Sequence, residues 1–208
     1  MRLIVDVMSG DKSALEAVKG AVKAKRELGV DITLVGNEGV IGDALDTLGV
    51  ARDDSCRVVH AESVITMEDD YLVVIKSKKD SSMAVGLELL KNGEGDAFIS
   101  TGNTGALVAG ASLIVRRIKG IKAAAIGAII PLGNPFLLID AGANVSPQPE
   151  EMKQFALMGS IYMKKMFSLS SPRVALINNG TESAPACGHT AVLMALHETP
   201  EPELRLYS

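Results

Sequence analysis

The stretch Ala97-Phe-Ile-Ser-Thr-Gly-Asn-Thr-Gly-Ala106 joins a short apolar run, a turn rich in glycine, threonine and asparagine, and the start of an apolar segment. Residues 97–100 are predicted to form a strand, because the run is short and ends at small polar residues. Residues 103–118 are apolar on almost every side, so we predict a helix that lies deep in the fold. The stretch therefore predicts a strand, a tight turn and a buried helix.

Short apolar runs alternate with amphipathic segments along the rest of the chain. We predict strands at residues 3–6, 32–36, 57–60, 97–100, 125–130, 136–140, 174–178 and 204–208. We predict helices at residues 13–28, 41–48, 81–90, 103–118, 150–167 and 187–197. This alternation is typical of an α/β fold with a mostly parallel, doubly wound sheet.

Composition and charge argue against several functions. Aromatic residues make up 3% of the 208 residues, and the net charge is −4. Binding of nucleic acid needs a basic surface and, for single strands, aromatic platforms, so we do not expect it. The longest uncharged stretch, residues 123–139, is interrupted by glycine and proline, which predicts two strands around a turn and no membrane span. The start of the chain has no signal-peptide pattern, and Cys56 and Cys187 lack C-x-x-C spacing, so we expect a cytoplasmic protein without a disulfide.

Four predicted strands end in glycines and short polar side chains. These ends are Asp6-Val-Met-Ser-Gly-Asp11, Ser100-Thr-Gly-Asn-Thr-Gly-Ala106, Asp140-Ala-Gly-Ala-Asn144 and Asn178-Asn-Gly-Thr-Glu182. Ligands of open α/β sheets bind at the carboxyl ends of the strands, and the free amides at a helix start attract anions. Each end taken alone also fits an ordinary turn that caps a helix. Because four ends share the pattern, we favour a pocket for a phosphate or acyl-phosphate group.

Signatures of several common enzyme classes are absent from the sequence. There is no G-x-x-x-x-G-K-[ST], no G-x-G-x-x-G after the first strand, no H-E-x-x-H and no G-x-S-x-G. ATPases, standard dinucleotide enzymes, zinc proteases and α/β-hydrolases are therefore disfavoured. The histidines His60, His189 and His197 show no metal-ligand spacing, so we expect no metal. For His60 a structural role is favoured over acid–base catalysis.

The segment Lys76-Ser-Lys-Lys-Asp-Ser-Ser-Met83 places three lysines before a predicted helix that Asp80 or Ser81 can cap. Cations are unfavourable at a helix N-terminus, so helix stability does not explain these lysines. Two interpretations stay open: a solvated basic turn, and a positive rim for a phosphate or an acidic carrier protein.

The motifs occur together in a known family. The matching segments are Val5-Asp-Val-Met-Ser-Gly-Asp11, Val59-His-Ala61, Lys78-Lys-Asp-Ser-Ser-Met83, Ser100-Thr-Gly-Asn-Thr-Gly-Ala106, Arg117-Ile-Lys-Gly-Ile121, Asp140-Ala-Gly-Ala-Asn-Val145, Gln154-Phe-Ala-Leu-Met-Gly-Ser160, Pro172-Arg-Val174 and Asn179-Gly-Thr-Glu182. Over residues 1–182 the chain resembles the PlsX family of phosphate acyltransferases, which make acyl phosphate from acyl-[acyl carrier protein] and inorganic phosphate for phospholipid synthesis. The resemblance implies a three-layer α/β/α sandwich related to isocitrate dehydrogenase-like and phosphotransacetylase-like folds. It also implies a single domain over residues 1–208, equivalent to the N-terminal two-thirds of a family member.

The resemblance further implies a reaction in which phosphate itself attacks the thioester carbonyl. The protein would then position the phosphate and stabilise the oxyanion. We expect catalytic roles for Asn103, Asp140 and Asn144. Substrate or phosphate binding is expected from Asp6, Gly10, Asp11, Lys79, Ser81, Ser82, Ser100, Thr101, Gly102, Thr104, Gly105, Gly142, Ala143, Asn179, Gly180, Thr181 and Glu182. No cofactor is expected, and the implied partners are acyl carrier protein and further copies of the chain, with peripheral membrane association in the full-length family.

The chain departs from the family pattern at three places. Ser9 stands where the family usually has glycine, Lys12-Ser13-Ala14 where it has His-Ala-Pro, and Ser-Ala-Pro-Ala-Cys-Gly at residues 183–188 where a Lys-Gly pair follows. Family members also extend further, with segments that close the site, form the dimer and touch the membrane. Two alternatives therefore stay open: acyl transfer from coenzyme A, and a non-catalytic module that binds acyl phosphate or carrier protein.

Overall fold

The computed structural model describes residues 1–50, 56–131 and 136–177, together with the backbone of two further strands at Ala191–Ala195 and Arg205–Tyr207. The chain forms two compact units, Met1–Arg117 and Ile118–Ser208. The single domain expected over residues 1–208 stays a prediction.

The first unit is built on a parallel four-stranded sheet with the order β3-β2-β1-β4. Its strands are β1 (Arg2–Asp6), β2 (Asp31–Gly36), β3 (Arg57–His60) and β4 (Ala97–Ile99). Its helices are α1 (Ala14–Leu28), α2 (Glu38–Thr47), α3 (Ser82–Lys91) and α4 (Thr104–Gly110), with a 3-10 turn at Tyr71–Val74 between β3 and α3. This pattern confirms the parallel α/β sheet that the alternation of strands and helices predicts.

Side chains of β1 alternate between two hydrophobic clusters of the first unit. Leu3 and Val5 pack into the cluster formed with α1 and α2. Ile4 packs into a second cluster, which includes Val85 and Leu89 of α3. Because successive residues of a strand point to opposite faces of the sheet, helices cover both of its faces. The carboxyl ends of the strands are left between these two helical layers.

Polar caps determine where the helices of the first unit begin. Ser13, Asn37, Ser81 and Asn103 cap α1, α2, α3 and α4, and each side chain accepts a hydrogen bond from the backbone amide three residues ahead. This satisfies one of the amides that a helix start leaves without an internal partner. The capping interpretation of these polar residues is therefore correct for Ser81 and Asn103.

The apolar segment at residues 103–118 differs from the prediction of one deeply buried helix. It is α-helical over Thr104–Gly110 and π-helical over Ala111–Arg116. Ala106 and Ile114 are buried, whereas Leu113 is 52% exposed. A segment that is apolar on every side does not show which side meets solvent, and this is why the depth of burial was predicted wrongly.

The second unit contains a five-stranded sheet with the order β5-β6-β8-β7-β9. Its elements are β5 (Gly127–Ile130), β6 (Phe136–Ile139), α5 (Pro149–Phe167), β7 (Arg173–Ile177), β8 (Ala191–Ala195) and β9 (Arg205–Tyr207). Only β7 and β9 pair in parallel among these described strands, so the second sheet is mainly antiparallel. Over both sheets, four of the seven strand pairings are parallel.

The helix predicted at residues 187–197 is wrong where the structure describes that segment. Ala191–Ala195 forms β8, which pairs with both β6 and β7. The run Ala-Val-Leu-Met-Ala is short and entirely apolar, and the spacing of apolar residues alone does not separate a strand from a helix in such a run. The other residues of the predicted helix lie outside the described part of the chain.

α5 packs on the second sheet through one side. Phe155 and Met163 are buried in a cluster with Leu137 and Ile139 of β6. The sequence spacing predicts a buried stripe that includes Phe155, Met163 and Met166; the first two are buried, but the prediction is wrong for Met166, which is 62% exposed near the end of the helix. Within the described residues, no helix combines the length and the apolar character needed to cross a membrane.

Candidate functional site

Two strand ends of the first unit meet and bond to each other. The β1 turn (residues 6–10) and the β4 turn (residues 100–103) follow adjacent parallel strands. Asp6 is buried, and its Oδ1 accepts hydrogen bonds from the backbone amides of Met8 at 3.1 Å and Ser9 at 3.2 Å. Its Oδ2 accepts one from the Ser100 hydroxyl at 2.9 Å. One carboxylate therefore folds the β1 turn and fixes it to the β4 turn.

Glycines allow the two turns to approach closely. Gly10 has a φ of 105°, and a Cβ there would lie 2.8 Å from the carbonyl oxygen of Thr101 and closer still to its hydroxyl. A Cβ on Gly102 would lie 2.5 Å from the Cβ of Ser9. The hydroxyl of Thr101 donates to the carbonyl of Ser9 at 3.0 Å. Larger residues at Gly10 or Gly102 would force the turns apart.

The β4 turn leads directly into α4 and leaves amides open at its start. The Ser100 hydroxyl accepts from the amide of Gly102 at 3.2 Å, and Asn103 Oδ1 accepts from the amide of Ala106 at 3.0 Å. The N–H groups of Thr104 and Gly105, the first two helical residues, have no acceptor among the described residues. Both residues are exposed. Two open amides at a helix start form a ready site for an oxyanion.

Two buried hydroxyls of the first unit lack a hydrogen-bond partner among the described residues. They belong to Ser9, in the β1 turn, and to Ser82, the first residue of α3. A Cβ on Gly102 would lie 3.2 Å from the Ser9 oxygen, so this hydroxyl lies at the contact between the two turns. Since buried polar groups are normally paired, Ser9 is an unsatisfied position within the candidate site.

Asn103 uses its amide group within the protein. Besides capping α4 through Oδ1, its Nδ2 donates to the carbonyls of Thr66 at 3.2 Å and Asp69 at 3.1 Å. In the structure, Asn103 links the start of α4 to the loop of residues 64–69. Its expected catalytic role stays a prediction.

An ion pair sits inside the same loop. Lys78 Nζ lies 2.6 Å from Asp69 Oδ2 and donates to the carbonyl of Val64 at 2.9 Å. The hydrogen bond from Lys78 and, after it, that from the Thr66 amide hold the pKa of the Asp69 carboxyl below its usual value. Lys79, which the sequence suggested as a phosphate ligand, is exposed. Lys78 is the lysine of this segment that is partly buried.

The second unit contains a turn of similar composition, the β6 turn (residues 140–144). Asp140 Oδ1 accepts from the backbone amides of Ile126 at 2.8 Å and Ala143 at 3.0 Å. Its Oδ2 accepts from the backbone amide of Asn144 at 2.7 Å and from its side-chain amide at 2.8 Å. Asn144 Nδ2 also donates to the carbonyl of Ala124 at 2.7 Å. All four hydrogen bonds to the carboxylate come from residues of the second unit, so both of its oxygens are occupied by donors of the protein itself.

Comparison with known proteins places the chain in a family. The model of a family described as "Fatty acid synthesis protein" matches residues 1–199. The chain belongs to this family. Phosphate acyltransferases that resemble it include those of Thermoanaerobacterium thermosaccharolyticum, 45% identical over 183 residues, and Thermoanaerobacter pseudethanolicus, 41% identical over 207 residues. These alignments cover 88% and 98% of this chain but 54% and 60% of the relatives, so the chain spans little more than half of their length.

Solved structures with a similar fold include two phosphotransacetylases. The enzyme of Streptococcus pyogenes superposes with a TM-score of 0.63 at 19% identity, covering 88% of this chain and 60% of that one. The EutD phosphotransacetylase of Staphylococcus aureus gives 0.57 at 16% identity, covering 83% and 55%. Identities this low show the fold alone. The expected phosphotransacetylase-like α/β fold and the family resemblance are confirmed.

The first unit of this family member brings together seven of the residues predicted to bind substrate, namely Asp6, Gly10, Ser100, Thr101, Gly102, Thr104 and Gly105. Asp11 is exposed beside them in the chain, and Ser81 caps α3. Gly142 and Ala143 lie in the β6 turn of the second unit. Asn179, Gly180, Thr181, Glu182, Cys187, His189 and His197 lie outside the described residues. The binding roles themselves stay predictions.

Sequence reasoning missed the residues that support the site from the side. Thr66 and Asp69 belong to no glycine-rich turn, and Lys78 lies in the basic segment but is not among the residues expected to bind substrate. The contacts of Thr66 and Asp69 with Asn103, and of Lys78 with Asp69, depend on tertiary folding, and no spacing in the sequence predicts them.

His60 takes part in a local network at the end of β3. Its Nδ1 accepts from the backbone amide of Glu38 at 3.3 Å, and its Nε2 lies 3.1 Å from a Glu62 carboxylate oxygen. Both ring nitrogens are engaged with neighbouring elements, which favours the structural role. In the described part of the chain, no three His, Cys, Asp or Glu residues are placed to hold a metal ion.

Proposed function

We propose that the protein is a phosphate acyltransferase that moves an acyl group from acyl-[acyl carrier protein] to inorganic phosphate. The single observation that supports this most is the open helix start behind the β4 turn. Thr104 and Gly105 present two amides there that have no acceptor within the described part of the chain, and the hydrogen bonds that Asp6 accepts hold the β1 turn beside them. The names of the curated relatives and the family match support the same reaction class.

The proposed reaction needs no nucleophile from the protein. A phosphate oxygen attacks the thioester carbonyl carbon, so that a C–O bond forms and the C–S bond then breaks. The proton of hydrogen phosphate passes to the departing thiolate, which leaves as the thiol, and the acyl phosphate keeps both charges. The protein contributes position and electrostatic stabilisation. This agrees with the absence of a nucleophilic-serine motif from the sequence.

We assign the first turn of α4 to phosphate. The amides of Thr104 and Gly105 would donate to two phosphate oxygens, and the partial positive charge of the helix start would favour the anion. The hydroxyl of Thr104 could add a third bond. Asp6 acts indirectly, because its carboxylate is used to hold Ser100 and the β1 turn. Roles in catalysis for Asp140 and Asn144 remain proposals based on the family resemblance.

The test is to incubate the purified chain with phosphate and palmitoyl-[acyl carrier protein], and to trap acyl phosphate with hydroxylamine. The proposal expects hydroxamate that depends on phosphate and on protein. Product from palmitoyl-coenzyme A but none from the carrier protein would instead favour a coenzyme A-dependent transacylase. Phosphate binding without product from either donor would make the chain a binding module.

We also propose that this reaction serves phospholipid synthesis in the cytoplasm and that the protein acts as a homodimer. The family resemblance supports these assignments. Light scattering of the purified chain, with twice the 21.8 kDa chain mass as the expected result, tests the oligomeric state. A monomer would remove that part of the proposal.

A further inference from the structure

The pair formed by Lys78 and Asp69 is more enclosed than a typical surface ion pair of this protein. The two side chains are 29% and 21% exposed, compared with 40% and 49% for the pair of Lys91 and Glu88 on α3. A flexible lysine that is held in a partly enclosed position loses conformational entropy, and simple surface pairs repay little of that loss. The enclosed pair therefore needs an explanation other than charge neutralisation at the surface.

The contacts of this pair close the loop of residues 64–69. Asp69 Oδ2 accepts from Lys78 Nζ at 2.6 Å, from the Thr66 amide at 2.7 Å and from the Thr66 hydroxyl at 3.1 Å. Lys78 Nζ also donates to the carbonyl of Val64 at 2.9 Å. The ammonium group thus joins the beginning of the loop to its end, and the loop conformation depends on it.

The closed loop in turn contacts the start of α4 at two points. The carbonyls of Thr66 and Asp69 accept from Asn103 Nδ2, and the Oδ1 of the same amide caps Ala106. After the loop, the chain packs directly against the second residue of the helix, since a Cβ on Gly105 would lie 3.1 Å from the Cβ of Tyr71. The orientation of Asn103 and the direction of the first helical turn are therefore both set by this loop.

From these contacts we infer that Lys78 and Asp69 are positioning residues for the phosphate site: their ion pair shapes the loop that holds Asn103, and Asn103 fixes the open amides of α4. Neither side chain needs to touch phosphate for this role. The inference rests on the proposed function, because it takes the helix start as the place where phosphate binds. It assigns the functional importance of the basic segment to Lys78 instead of the exposed Lys79.

The experiment is a titration of the isotope-labelled full chain with inorganic phosphate, followed by the NMR signals of the Thr104, Gly105 and Ala106 amides. The variants are Lys78→Met, Asp69→Asn and, as a matched control that removes the other lysine pair, Lys91→Met. We expect Lys78→Met to weaken phosphate affinity by at least about tenfold, because small displacements of positioned donors are costly. Its Ala106 signal should also shift without phosphate, since the bond to Asn103 changes. Asp69→Asn, which keeps an acceptor oxygen, should show a smaller loss, and Lys91→Met should match the wild type.

The hydroxamate assay gives an independent measure on the same variants. In Lys78→Met, the KM for phosphate should rise with the kcat nearly unchanged at saturating phosphate, whereas a purely structural role would lower the melting temperature and leave KM as in the wild type. That second pattern, or an unchanged phosphate affinity, would overturn the inference. If Lys78→Met does not fold, Asp69→Asn decides by the same titration. A wild-type chain that binds no phosphate would instead overturn the proposed function, and the inference would fall with it.

Discussion

In the first unit the carboxylate of Asp6 bonds across to Ser100, 94 residues further along the chain, and the neighbouring helix start keeps two amides open. In the second unit the carboxylate of Asp140 takes four hydrogen bonds from residues 126, 143 and 144. The β6 turn carries its acidic residue and its asparagine in one segment, whereas in the first unit the acidic residue lies in the β1 turn and the asparagine in the β4 turn. Turns built from small and polar residues therefore leave amide donors open in one unit and occupy a carboxylate fully in the other.

The difference lies in what each turn does with its hydrogen-bonding capacity. An ionised carboxylate has about four acceptor positions, and the four bonds to Asp140 use that capacity within the second unit. In the β4 turn the side chains of Ser100 and Thr101 bond to the β1 turn, that of Asn103 bonds to the loop of residues 64–69, and the remaining donors belong to the backbone. A ligand site is thus better recognised by donors left without a partner than by residue type.

The largest expected effect comes from removing one open amide. Thr104→Pro deletes the N–H of the first helical residue, a position where proline is compatible with a helix. Asn103, with a ψ of 109°, already lies outside the helical region that proline disfavours in its predecessor. We expect phosphate affinity to fall on the order of a hundredfold, as for loss of one preorganised donor. Isothermal titration with phosphate measures it.

Two controls separate this effect from general damage. Thr104→Ala keeps the N–H and should lose much less affinity. Ala14→Pro makes the same change at the first residue of α1, after Ser13 with a ψ of 154°, and should leave affinity unchanged. Wild-type affinity in Thr104→Pro would show that the open amide is not a phosphate ligand.

The next largest effect is on stability, and it compares Gly10 of the β1 turn with Gly142 of the β6 turn. Gly10→Ala forces a Cβ against the backbone of Thr101 at a φ of 105°, whereas Gly142→Ala has a φ of 120° but no atom within 4 Å of the new Cβ. We expect Gly10→Ala to lower the free energy of unfolding by about 3 kcal/mol, from overpacking together with backbone strain. Gly142→Ala should cost about 1 kcal/mol, from strain alone. Urea denaturation measures both, and equal losses would contradict the close contact of the β1 and β4 turns.

A smaller effect concerns the contact between Gly102 and Ser9. The new methyl group of Gly102→Ala would lie 2.5 Å from the Ser9 Cβ, so we expect a loss of about 2 kcal/mol. Ser9→Gly, which introduces the residue usual in the family, removes that obstacle. The double variant should regain about half of the loss, with non-additivity measured by urea denaturation. Simple addition of the two single effects would mean that the turns do not touch there.

The smallest expected effect is a change in how the free energy of unfolding depends on acidic pH. The folded pKa of Asp69 is lowered, first by the hydrogen bond from Lys78, so its contribution to stability is present above the unfolded pKa and is lost as the pH falls through the folded value. Unfolding free energies measured in urea between about pH 6 and pH 3 should decline on acidification. The decline should be shallower in Lys78→Met, which lacks the partner. Identical slopes would show that the pair is not formed in solution.

Much of the first unit could be predicted from its sequence. Strands β1 to β4 are short apolar runs followed by turn residues, and the helices have caps such as Ser13 and Asn37. Local signals and tertiary structure agree there. The strand β8 in the second unit could not be predicted in this way. Ala191–Ala195 contains no polar residue, so the spacing of apolar residues does not separate a strand from a helix there. The antiparallel pairing of the second sheet also depends on contacts that no local pattern encodes.

The site could be predicted in part. The glycine-rich turns and the helix start are visible in the sequence, because helix geometry always leaves its first amides open. The link from Asn103 to residues 64–69 could not be predicted, since it depends on a loop that is 34 to 37 residues away in the chain. The catalytic roles expected for Asn103 and Asn144 predict that Asn103→Ala and Asn144→Ala lower turnover. The partly buried hydrogen bonds of both side-chain amides indicate a stability loss on the order of 1 kcal/mol or more in each variant as well.

The most direct test of the account is to locate bound phosphate on the wild-type chain by its effect on backbone amide signals in NMR. The account predicts saturable shifts at Thr104 and Gly105, with weaker changes in residues 9 and 10 of the β1 turn. Absence of any saturable change at Thr104 and Gly105 at millimolar phosphate, or saturable shifts confined to residues 140–144, would contradict it.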